Sequence, residues 1–546
     1  MSRAPRTLAV IDAGGATTSV SLLARIDERW RLTGTLAGPA GIPEAALMST
    51  LAERVRTADA GLGGWPEFQD DALATMPTLA ARSRRPGMLL LLGASRRIVG
   101  DLETEAVRTG WRFISASTES HDPREMTALA LDPDVDVVLI GAGDPPGPDE
   151  RAALDDLAAL GASVARRRPD LRVLVGGPIR ARRSWGEALG DEPEGSPRII
   201  DAPPVAGSRS GSHALRAALE TLRQDPADGR SGLKAAAASL ADLLDLRVEL
   251  LEVGFDGGAR FLAEPGAAGG GPTCRGIVTA QGSLVPPEPD DDSVDSVLAW
   301  TTGSLDRHRM SDRLRDLRRR PWVDGAGDGA RLRLAAASAA LARLAALTPE
   351  LTARPPADLT VITGGAFATA PASAMVLAVA DTVRRTGSTQ LAWDHARLLG
   401  PIGTIEDADE RRSLLADLVR DALVPLGTLV IAGGVGGAPG SRRRARARSG
   451  RMMLEVAGTT TPRDLEAGEL VFIDLPAGEI VAARLEFSEI VRLGKRTRSV
   501  TVPVTGGLGG LIIDLRDVPL NLPERRDRRR SRLAEWGAQA WPRDDR

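Results

Sequence analysis

Short apolar runs that end at glycine-containing turns recur along this chain and predict a mixed α/β protein. Residues 7–11 (Thr-Leu-Ala-Val-Ile) form an apolar run typical of a buried strand. Residues 19–22 (Ser-Val-Ser-Leu) alternate polar and apolar positions, as a half-buried strand does. Residues 12–18 join the two runs, so the sequence predicts a hairpin with Asp12 at the end of its first strand.

Between residues 85 and 225 the pattern predicts strands that alternate with helices. A long helical pattern covers residues 149–167, and a shorter helix is predicted over 101–108 with Asp101 as its N-cap. This order is typical of a parallel sheet covered by helices. The strands of this sheet are predicted at 88–92, 111–115, 135–140 and 171–175.

A new unit is predicted to begin near Ser231, with an Ala/Leu-rich helix followed by an apolar strand at 248–253. After about residue 426 the chain becomes rich in strand-like runs and poor in helical ones. We therefore predict four domains. They are a first-lobe hairpin domain (1–84), an inserted or continuing α/β unit (85–230), a second lobe (231–428) and a small β-rich C-terminal domain (429–546).

Composition and charge exclude several classes of protein. The 546 residues carry a formal net charge of −3, with four histidines and one cysteine, Cys274. A disulfide framework is therefore excluded, and a zinc site is not expected. No apolar run is long enough to span a membrane and no signal peptide is recognisable, so we expect a cytoplasmic protein. Arginine clusters at 442–448 and 525–532 lack interleaved aromatic residues, so we interpret them as solvated and expect no nucleic-acid partner.

The turn of the first hairpin carries candidate phosphate-binding chemistry. Gly14 and Gly15 lack side chains, so their backbone N–H groups can approach an anion closely. The hydroxyl groups of Thr17 and Thr18 can donate to phosphate oxygens. Asp12 can hold Mg²⁺ through water molecules, because Mg²⁺ keeps much of its hydration shell. An ordinary glycine-rich turn remains the alternative.

A second glycine pair follows a later apolar strand. Residues 361–366 read Val-Ile-Thr-Gly-Gly-Ala, and Pro371 is placed to start the next helix. At Gly364 and Gly365 an adenine and a ribose could lie flat against bare backbone. A tight strand-to-helix turn is the alternative interpretation.

Taken together, the two turns resemble the ends of the nucleotide site in the superfamily of actin, the heat-shock chaperone ATPases and the sugar and acetate kinases. Within it, the wording Ile-Asp-Ala-Gly-Gly-Ala-Thr-Thr resembles the glutamate mutase L family of ATPase-like proteins associated with cobalamin-dependent mutases. The likeness extends along nearly the whole chain. The further segments that carry it are 138–144, 363–371, 393–403 and 506–516.

This resemblance implies an α/β fold of two ribonuclease-H-like lobes around a nucleotide cleft, with an inserted parallel α/β unit and a small β-rich C-terminal domain. It also implies a second phosphate loop with an Asp, a Gly and a Thr. The sequence of this chain differs from that pattern. In one register Glu252 replaces the expected Asp, Gly254 fits and the hydroxyl is missing. In another register Asp256 and Gly258 fit, and Arg260 is expected near the phosphates. Glu252 and Asp256 therefore both stay candidates for aligning the attacking water.

The function that the resemblance implies is a chaperone-like reactivation or assembly factor for a cobalamin-dependent mutase, with ATP and Mg²⁺ as cofactors. Whether the chain is a Mg²⁺-dependent ATPase is left open, as is homo-oligomer formation. Alternatives are a hydrolysis-deficient nucleotide-binding scaffold, a small-molecule kinase of the same superfamily with Asp394 as its catalytic carboxylate, and an assembly protein that no longer binds nucleotide.

Overall fold

The computed structural model describes residues 6–541 except 64, 84, 144–146, 177–198, 205–208, 224–227, 268–269, 288, 324, 435–447 and 457–458. Residue 144 of one resemblance segment and residues 442–447 of the first arginine cluster lie outside the described residues. The chain forms two compact units. Unit 1 comprises residues 1–84, 226–276 and 282–546, and unit 2 comprises residues 85–225 and 277–281. The four domain boundaries drawn from the sequence stay a prediction.

The first lobe of unit 1 is a four-stranded sheet in the order β3-β2-β1-β4, in which β1 is antiparallel to β2 and parallel to β4. On α1, Leu47, Leu51 and Val55 recur at a spacing of four residues and are buried, because this helical stripe covers one face of the sheet. The strands are β1 (Thr7–Ala13), β2 (Thr17–Ile26), β3 (Arg29–Pro39) and β4 (Thr78–Arg82). The helices are α1 (Glu44–Ala58), α2 (Ala60–Gly63) and α3 (Asp70–Leu73), with a 3₁₀ turn at Pro66–Phe68.

Unit 2 is a parallel sheet in the order β6-β5-β7-β8-β9, which confirms the predicted parallel α/β arrangement. Its strands are β5 (Met88–Gly93), β6 (Arg112–Ser117), β7 (Val135–Gly141), β8 (Arg172–Gly176) and β9 (Ile199–Ala202). Its helices are α4 (Arg96–Ala106), α5 (Pro123–Ala130), α6 (Pro148–Arg167) and α7 (Arg209–Arg223).

The predicted start of the helix at Asp101 is wrong. Helix α4 begins at Arg96, and its N-cap is Ser95, whose hydroxyl oxygen accepts from the Ile98 amide at 3.3 Å. Asp101 lies inside the helix, on its exposed side, 3.4 Å from Arg97.

The second lobe is built on an eight-stranded sheet in the order β12-β11-β10-β13-β14-β15-β21-β18. The strands of this sheet and of a second sheet are, in chain order, β10 (Val248–Val253), β11 (Gly258–Glu264), β12 (Thr273–Thr279), β13 (Leu359–Thr363), β14 (Gly387–Asp394), β15 (Leu423–Ile431), β16 (Arg448–Val456), β17 (Thr459–Glu466), β18 (Leu470–Ile473), β19 (Ile480–Leu493), β20 (Lys495–Thr505) and β21 (Leu511–Asp514). Strands β17-β16-β19-β20 form a separate antiparallel sheet, whereas β18 and β21, from the region that the sequence assigned to a C-terminal domain, extend the eight-stranded one.

Helices cover the second lobe and close the chain. They are α8 (Gly229–Leu244), α9 (Asp291–Leu298), α10 (Arg307–Arg319), α11 (Gly327–Leu347), α12 (Pro349–Thr352), α13 (Ala372–Thr382), α14 (Leu399–Gly403), α15 (Ala408–Ala422) and α16 (Arg526–Gly537), with 3₁₀ turns at Ala280–Gly282 and Gly365–Phe367. Helices α8 and α14 approach closely at glycines, because a side chain at Gly232 would meet the carbonyl oxygen of Gly400 at 2.3 Å. This contact brings the segment that carries Arg230 close to the segment that carries Arg397.

The two lobes share one strand order. In the second lobe β10 is antiparallel to β11 and parallel to β13, and β13 is parallel to β14. Numbered within the lobe, the order is 3-2-1-4-5, the arrangement of a ribonuclease-H-like domain. The first lobe repeats the order 3-2-1-4 among its described strands. The fold is therefore the two-lobed α/β class that the resemblance implied.

Candidate functional site

The candidate site begins with two equivalent hairpins, one in each lobe. The last residue pair of β1 and β2 is Ala13–Thr18, and the last pair of β10 and β11 is Val253–Gly258. Each hairpin therefore has a four-residue loop that starts directly after the first strand of its lobe.

The same backbone hydrogen bond closes both loops. The amide of Gly14 donates to the carbonyl oxygen of Thr17 at 2.9 Å, and the amide of Gly254 donates to that of Gly257 at 2.9 Å. The two loops can therefore be aligned residue by residue.

This alignment assigns the register of the second loop, which the sequence left open. Glu252 stands where Asp12 stands in the first loop, and Gly257 stands where Thr17 stands. Asp256 corresponds to the third loop residue and has no carboxylate counterpart in the first hairpin. The second loop thus keeps a carboxylate and its first glycine but lacks the hydroxyl.

A cavity lies between the two hairpins and the turn that follows β13. Its empty volume is about 730 Å³, a figure that includes space open to solvent. The predicted site residues that line it are Asp12, Gly14, Gly15, Thr17, Glu252, Gly254, Gly364 and Gly365. Lining residues that the sequence did not single out include Arg230, Leu233, Phe255, Arg333 and Arg397.

Three residues that the sequence analysis named do not line this cavity. Arg260 is fully buried and lies 2.9 Å from Glu249 Oε1, so its expected place near the phosphates is wrong. Thr18 is buried within β2 with 5% of its surface exposed. The side chain of Asp256 lies against the first loop, because its Oδ2 is 2.2 Å from the position that a Cβ on Gly15 would take. Its Oδ1 accepts from Arg318 Nη2 at 2.7 Å, and the Arg318 guanidinium lies 4.5 Å from the centre of the Phe255 ring.

The two glycines after β13 lie in different surroundings. Gly364 has a φ of +99°, and a Cβ there would lie 2.3 Å from the carbonyl oxygen of Val253. Only glycine fits this close approach. A Cβ on Gly365 would instead face the cavity, 3.4 Å from Thr17 Oγ1. The turn and the first loop therefore lie side by side in the lining of the cavity.

Arg397 lies beside the first loop. Its Nη1 donates to Thr17 Oγ1 at 2.7 Å, and its Nε is 3.6 Å from Asp12 Oδ2. Burial raises the pKa of Asp12, while the charges of Arg397 and Arg230 partly offset that rise. The carboxylate of the first loop therefore has cationic side chains around it.

Glu252 of the second loop forms a buried ion pair. Arg230 Nε is 3.1 Å from Glu252 Oε2, and the side chains are 5% and 9% exposed. Burial raises the pKa of Glu252, and the Arg230 guanidinium opposes the rise by its charge and its hydrogen bond. The carboxylate expected to align water is thus held by an arginine.

Asp394 has a structural environment. Its side chain is fully buried and accepts from Thr363 Oγ1 at 3.0 Å and from the amides of Leu398 and Leu399 at 2.9 and 3.3 Å. Burial raises the pKa of Asp394 to about 6. The carboxylate fixes the turn before α14 and is not among the residues that line the cavity.

The donor set around the cavity suits an anion. Glycine backbone, a threonine hydroxyl and arginines are the groups that bind phosphate. In the part of the chain that the structure describes, no group of three or more His, Cys, Asp or Glu side chains is placed to hold a metal ion. Asp12 alone could meet Mg²⁺ only together with phosphate oxygens and water, a common arrangement for this ion.

Comparison with known proteins gives distant likeness only. The sequence matches no family model and no curated protein. Similar solved structures include the Ppx/GppA enzyme of Aquifex aeolicus, 9% identical over 76% of this chain and 92% of that chain with a TM-score of 0.18. A carbohydrate kinase from Novosphingobium aromaticivorans is 12% identical over 73% and 91%, with a TM-score of 0.22. The glucokinase of Leishmania braziliensis is 13% identical over 74% and 93%, with a TM-score of 0.21.

These TM-scores are low, so the fold assignment rests on the strand order and register described above. One further observation concerns membranes. Among the described helices, none combines the length and apolar character that a bilayer crossing requires.

Proposed function

We propose that this protein binds ATP in the cavity between the two hairpins and the glycine turn. The observation that carries the proposal is the convergence of Thr17 and Gly365, far apart in sequence, on one cavity. The amide of Gly15 and the hydroxyl of Thr17 can contact phosphates at the first loop. The side-chain-free surface at Gly365 suits adenosine.

Several of the predicted residues take a role in this proposal. Gly15 and the Thr17 hydroxyl face the phosphates, while the amide of Gly14, on the same loop, closes that loop by donating to the Thr17 carbonyl oxygen. Gly365 faces the adenosine, and Gly364 holds the turn against Val253. Thr18 is not assigned a contact, because it is buried in β2. Asp12 is the residue that would hold Mg²⁺ through water, and the bound ion would neutralise phosphate charge.

The biological role that we propose is that of a reactivation or assembly factor for a cobalamin-dependent mutase in the cytoplasm. The sequence resemblance to the glutamate mutase L family supports this role, since its segments occur in order along nearly the whole chain. ATP would bind more tightly to the closed cleft than to the open one. This difference in affinity would shift the lobes toward the closed arrangement and so remodel the partner.

The role is tested with a cobalamin-dependent mutase from the same genome, inactivated by turnover. We expect that adding this protein with ATP and fresh cofactor restores mutase activity, and that ADP or AMP does not. Recovery that is equal without the protein, or with the Asp12→Ala variant, would refute the role. Nucleotide binding measured on the protein alone separates this failure from a failure of the ATP site.

A hydrolysis-deficient scaffold is the second candidate, and the second loop favours it. Gly257 supplies no hydroxyl, and Arg230 engages Glu252. Gly257 is not among the positive-φ glycines, so a threonine is compatible with its backbone. If the missing hydroxyl limits turnover, Gly257→Thr should raise ATP hydrolysis above that of the wild type. Rapid hydrolysis by the wild type would exclude the scaffold.

The small-molecule kinase is less well supported. Its candidate carboxylate, Asp394, is fully buried and accepts three hydrogen bonds from nearby protein groups. A group engaged in this way is not placed to take a proton from a substrate.

A further inference from the structure

Two arginines, Arg230 and Arg397, stand at the two carboxylates of the candidate site. Arg397 is beside Asp12 in the first loop, and Arg230 is paired with Glu252 in the second. Among the residues that the structure describes, the charged side chains of the cavity lining are these four and Arg333. The lining therefore holds more positive than negative groups, which is favourable for a polyanion and unfavourable for a metal cation.

The backbone around Arg397 holds this side chain at the first loop. Arg397 has a φ of +54°, a conformation that is uncommon for a residue with a side chain. Its amide donates to the carbonyl oxygen of Asp394 at 3.3 Å, and the carbonyl oxygen of Ala396 accepts from Ser19 Oγ at 3.4 Å. The turn is thus fastened to both lobes.

The side chain of Arg397 is only 11% exposed, and it points at the phosphate-binding groups. Its contacts are a 2.7 Å hydrogen bond to Thr17 Oγ1 and a 3.6 Å approach to Asp12 Oδ2. A guanidinium therefore occupies the neighbourhood of the one carboxylate predicted to carry Mg²⁺. Because it is planar and always charged, it can bind two phosphate oxygens at once.

We propose that Arg397 is a phosphate-binding residue and that nucleotide binding in this site is carried by arginine and does not require a divalent cation. The proposal rests on the proposed function, since it concerns how the same cavity holds a polyphosphate. Arg230 contributes a second positive charge while it neutralises Glu252. With both carboxylates balanced by protein cations, the phosphates are the only uncompensated charges that enter the site.

The test measures binding of ATP, ADP and inorganic triphosphate by calorimetry, once with Mg²⁺ and once with EDTA. The wild type is compared with Arg397→Gln, Arg397→Lys and Arg309→Gln. Arg309 lies on the exposed side of α10 with 74% of its side chain accessible, so it serves as the control. The unfolding temperature of each variant is measured in the same buffers, so that a folding defect is recognised.

We expect the wild-type dissociation constant for ATP to change less than about threefold between Mg²⁺ and EDTA. Arg397→Gln should weaken binding at least tenfold in both buffers, which corresponds to about 1.4 kcal/mol. The dissociation constant of Arg397→Lys should lie between those of the wild type and Arg397→Gln. An ammonium group keeps the positive charge but cannot donate two parallel hydrogen bonds. Arg309→Gln should match the wild type.

Wild-type binding that disappears in EDTA and returns with Mg²⁺ would overturn the proposal and leave the ATP site intact. Arg397→Gln and Arg397→Lys that bind like the wild type would overturn it as well. If neither ATP nor triphosphate binds in either buffer, the proposed ATP site fails and the arginine proposal fails with it. If Arg397→Gln does not fold, the comparison of Arg397→Lys with the wild type in the two buffers decides.

Discussion

Thr17 and Gly365 lie side by side in the lining of the candidate cavity, and a Cβ on Gly365 would stand 3.4 Å from the Thr17 hydroxyl oxygen. They lie 348 positions apart in the chain. Thr17 begins β2 in the first lobe, and Gly365 begins the 3₁₀ turn after β13 in the second. The cavity is therefore formed only when the two lobes fold together. Substitutions in its lining can test nucleotide binding and stability separately.

Gly364→Ala should destabilise the protein. The position has a φ of +99°, and the new Cβ would meet the Val253 carbonyl oxygen at 2.3 Å. Strain in this region costs about 1–3 kcal/mol, and the clash adds to it. Urea denaturation measures the loss. The control is Gly365→Ala, which has no such contact and should change the free energy of unfolding by less than about 0.5 kcal/mol; equal losses would contradict the argument.

Gly15→Ala should displace the Asp256 carboxylate, which lies 2.2 Å from the new Cβ. The displaced carboxylate loses its ion pair with Arg318, and we expect a cost of about 1 kcal/mol. In an Asp256→Ala background the same substitution should cost almost nothing. A double-mutant cycle measures this coupling, and strictly additive effects would show that the two residues do not touch.

Arg230→Met should strongly destabilise the protein, because it leaves the carboxylate of Glu252 buried without its partner. Removing one member of a buried ion pair costs about 3–5 kcal/mol. The matched control is Arg412→Met, whose pair with Asp242 is 2.8 Å long but half exposed and should be worth less than about 1 kcal/mol. Adding Glu252→Gln to Arg230→Met should recover part of the loss.

Asp394 predicts a pH dependence of stability. Its pKa is raised from 3.8 to about 6 in the folded protein, so the folded state binds the proton more tightly than the unfolded state. Its contribution is complete below about pH 4 and is lost as the pH rises through 6, by up to about 3 kcal/mol. The isosteric Asp394→Asn variant should lack this change. Parallel unfolding curves between pH 4 and 7 for both proteins would contradict the assignment.

The sequence predicted the local elements of the site well and their partners poorly. The apolar run at 7–11 became β1, and the glycine pair after 361–363 became the turn after β13. Local patterns suffice there, because a buried run followed by glycines leaves few conformations. The register of the second loop needed the pairing of Val253 with Gly258, which no pattern in one strand contains.

Arg230 and Arg397 were not predicted, for a different reason. Lys and Arg total 70 residues in this chain, and most arginines of such a protein lie on its surface. Nothing local marks Arg397, whose partners Asp12 and Thr17 are far away in sequence. Only its place within the resemblance segment 393–403 could have directed attention to it. The roles of the predicted site residues stay predictions, which nucleotide-binding measurements test.

The most direct measurement is the thermal stability of the wild type and of Gly365→Val with and without ATP. Gly100→Val is the control, since nothing lies within 4 Å of a Cβ at that helical position in unit 2. At ATP about one hundred times the dissociation constant, the wild type and the control should gain about 2.7 kcal/mol. Gly365→Val should fold and gain nothing, because its side chain fills the adenosine side of the cavity. A wild type that neither ATP nor ADP stabilises, or a Gly365→Val protein that ATP stabilises equally, would contradict the account.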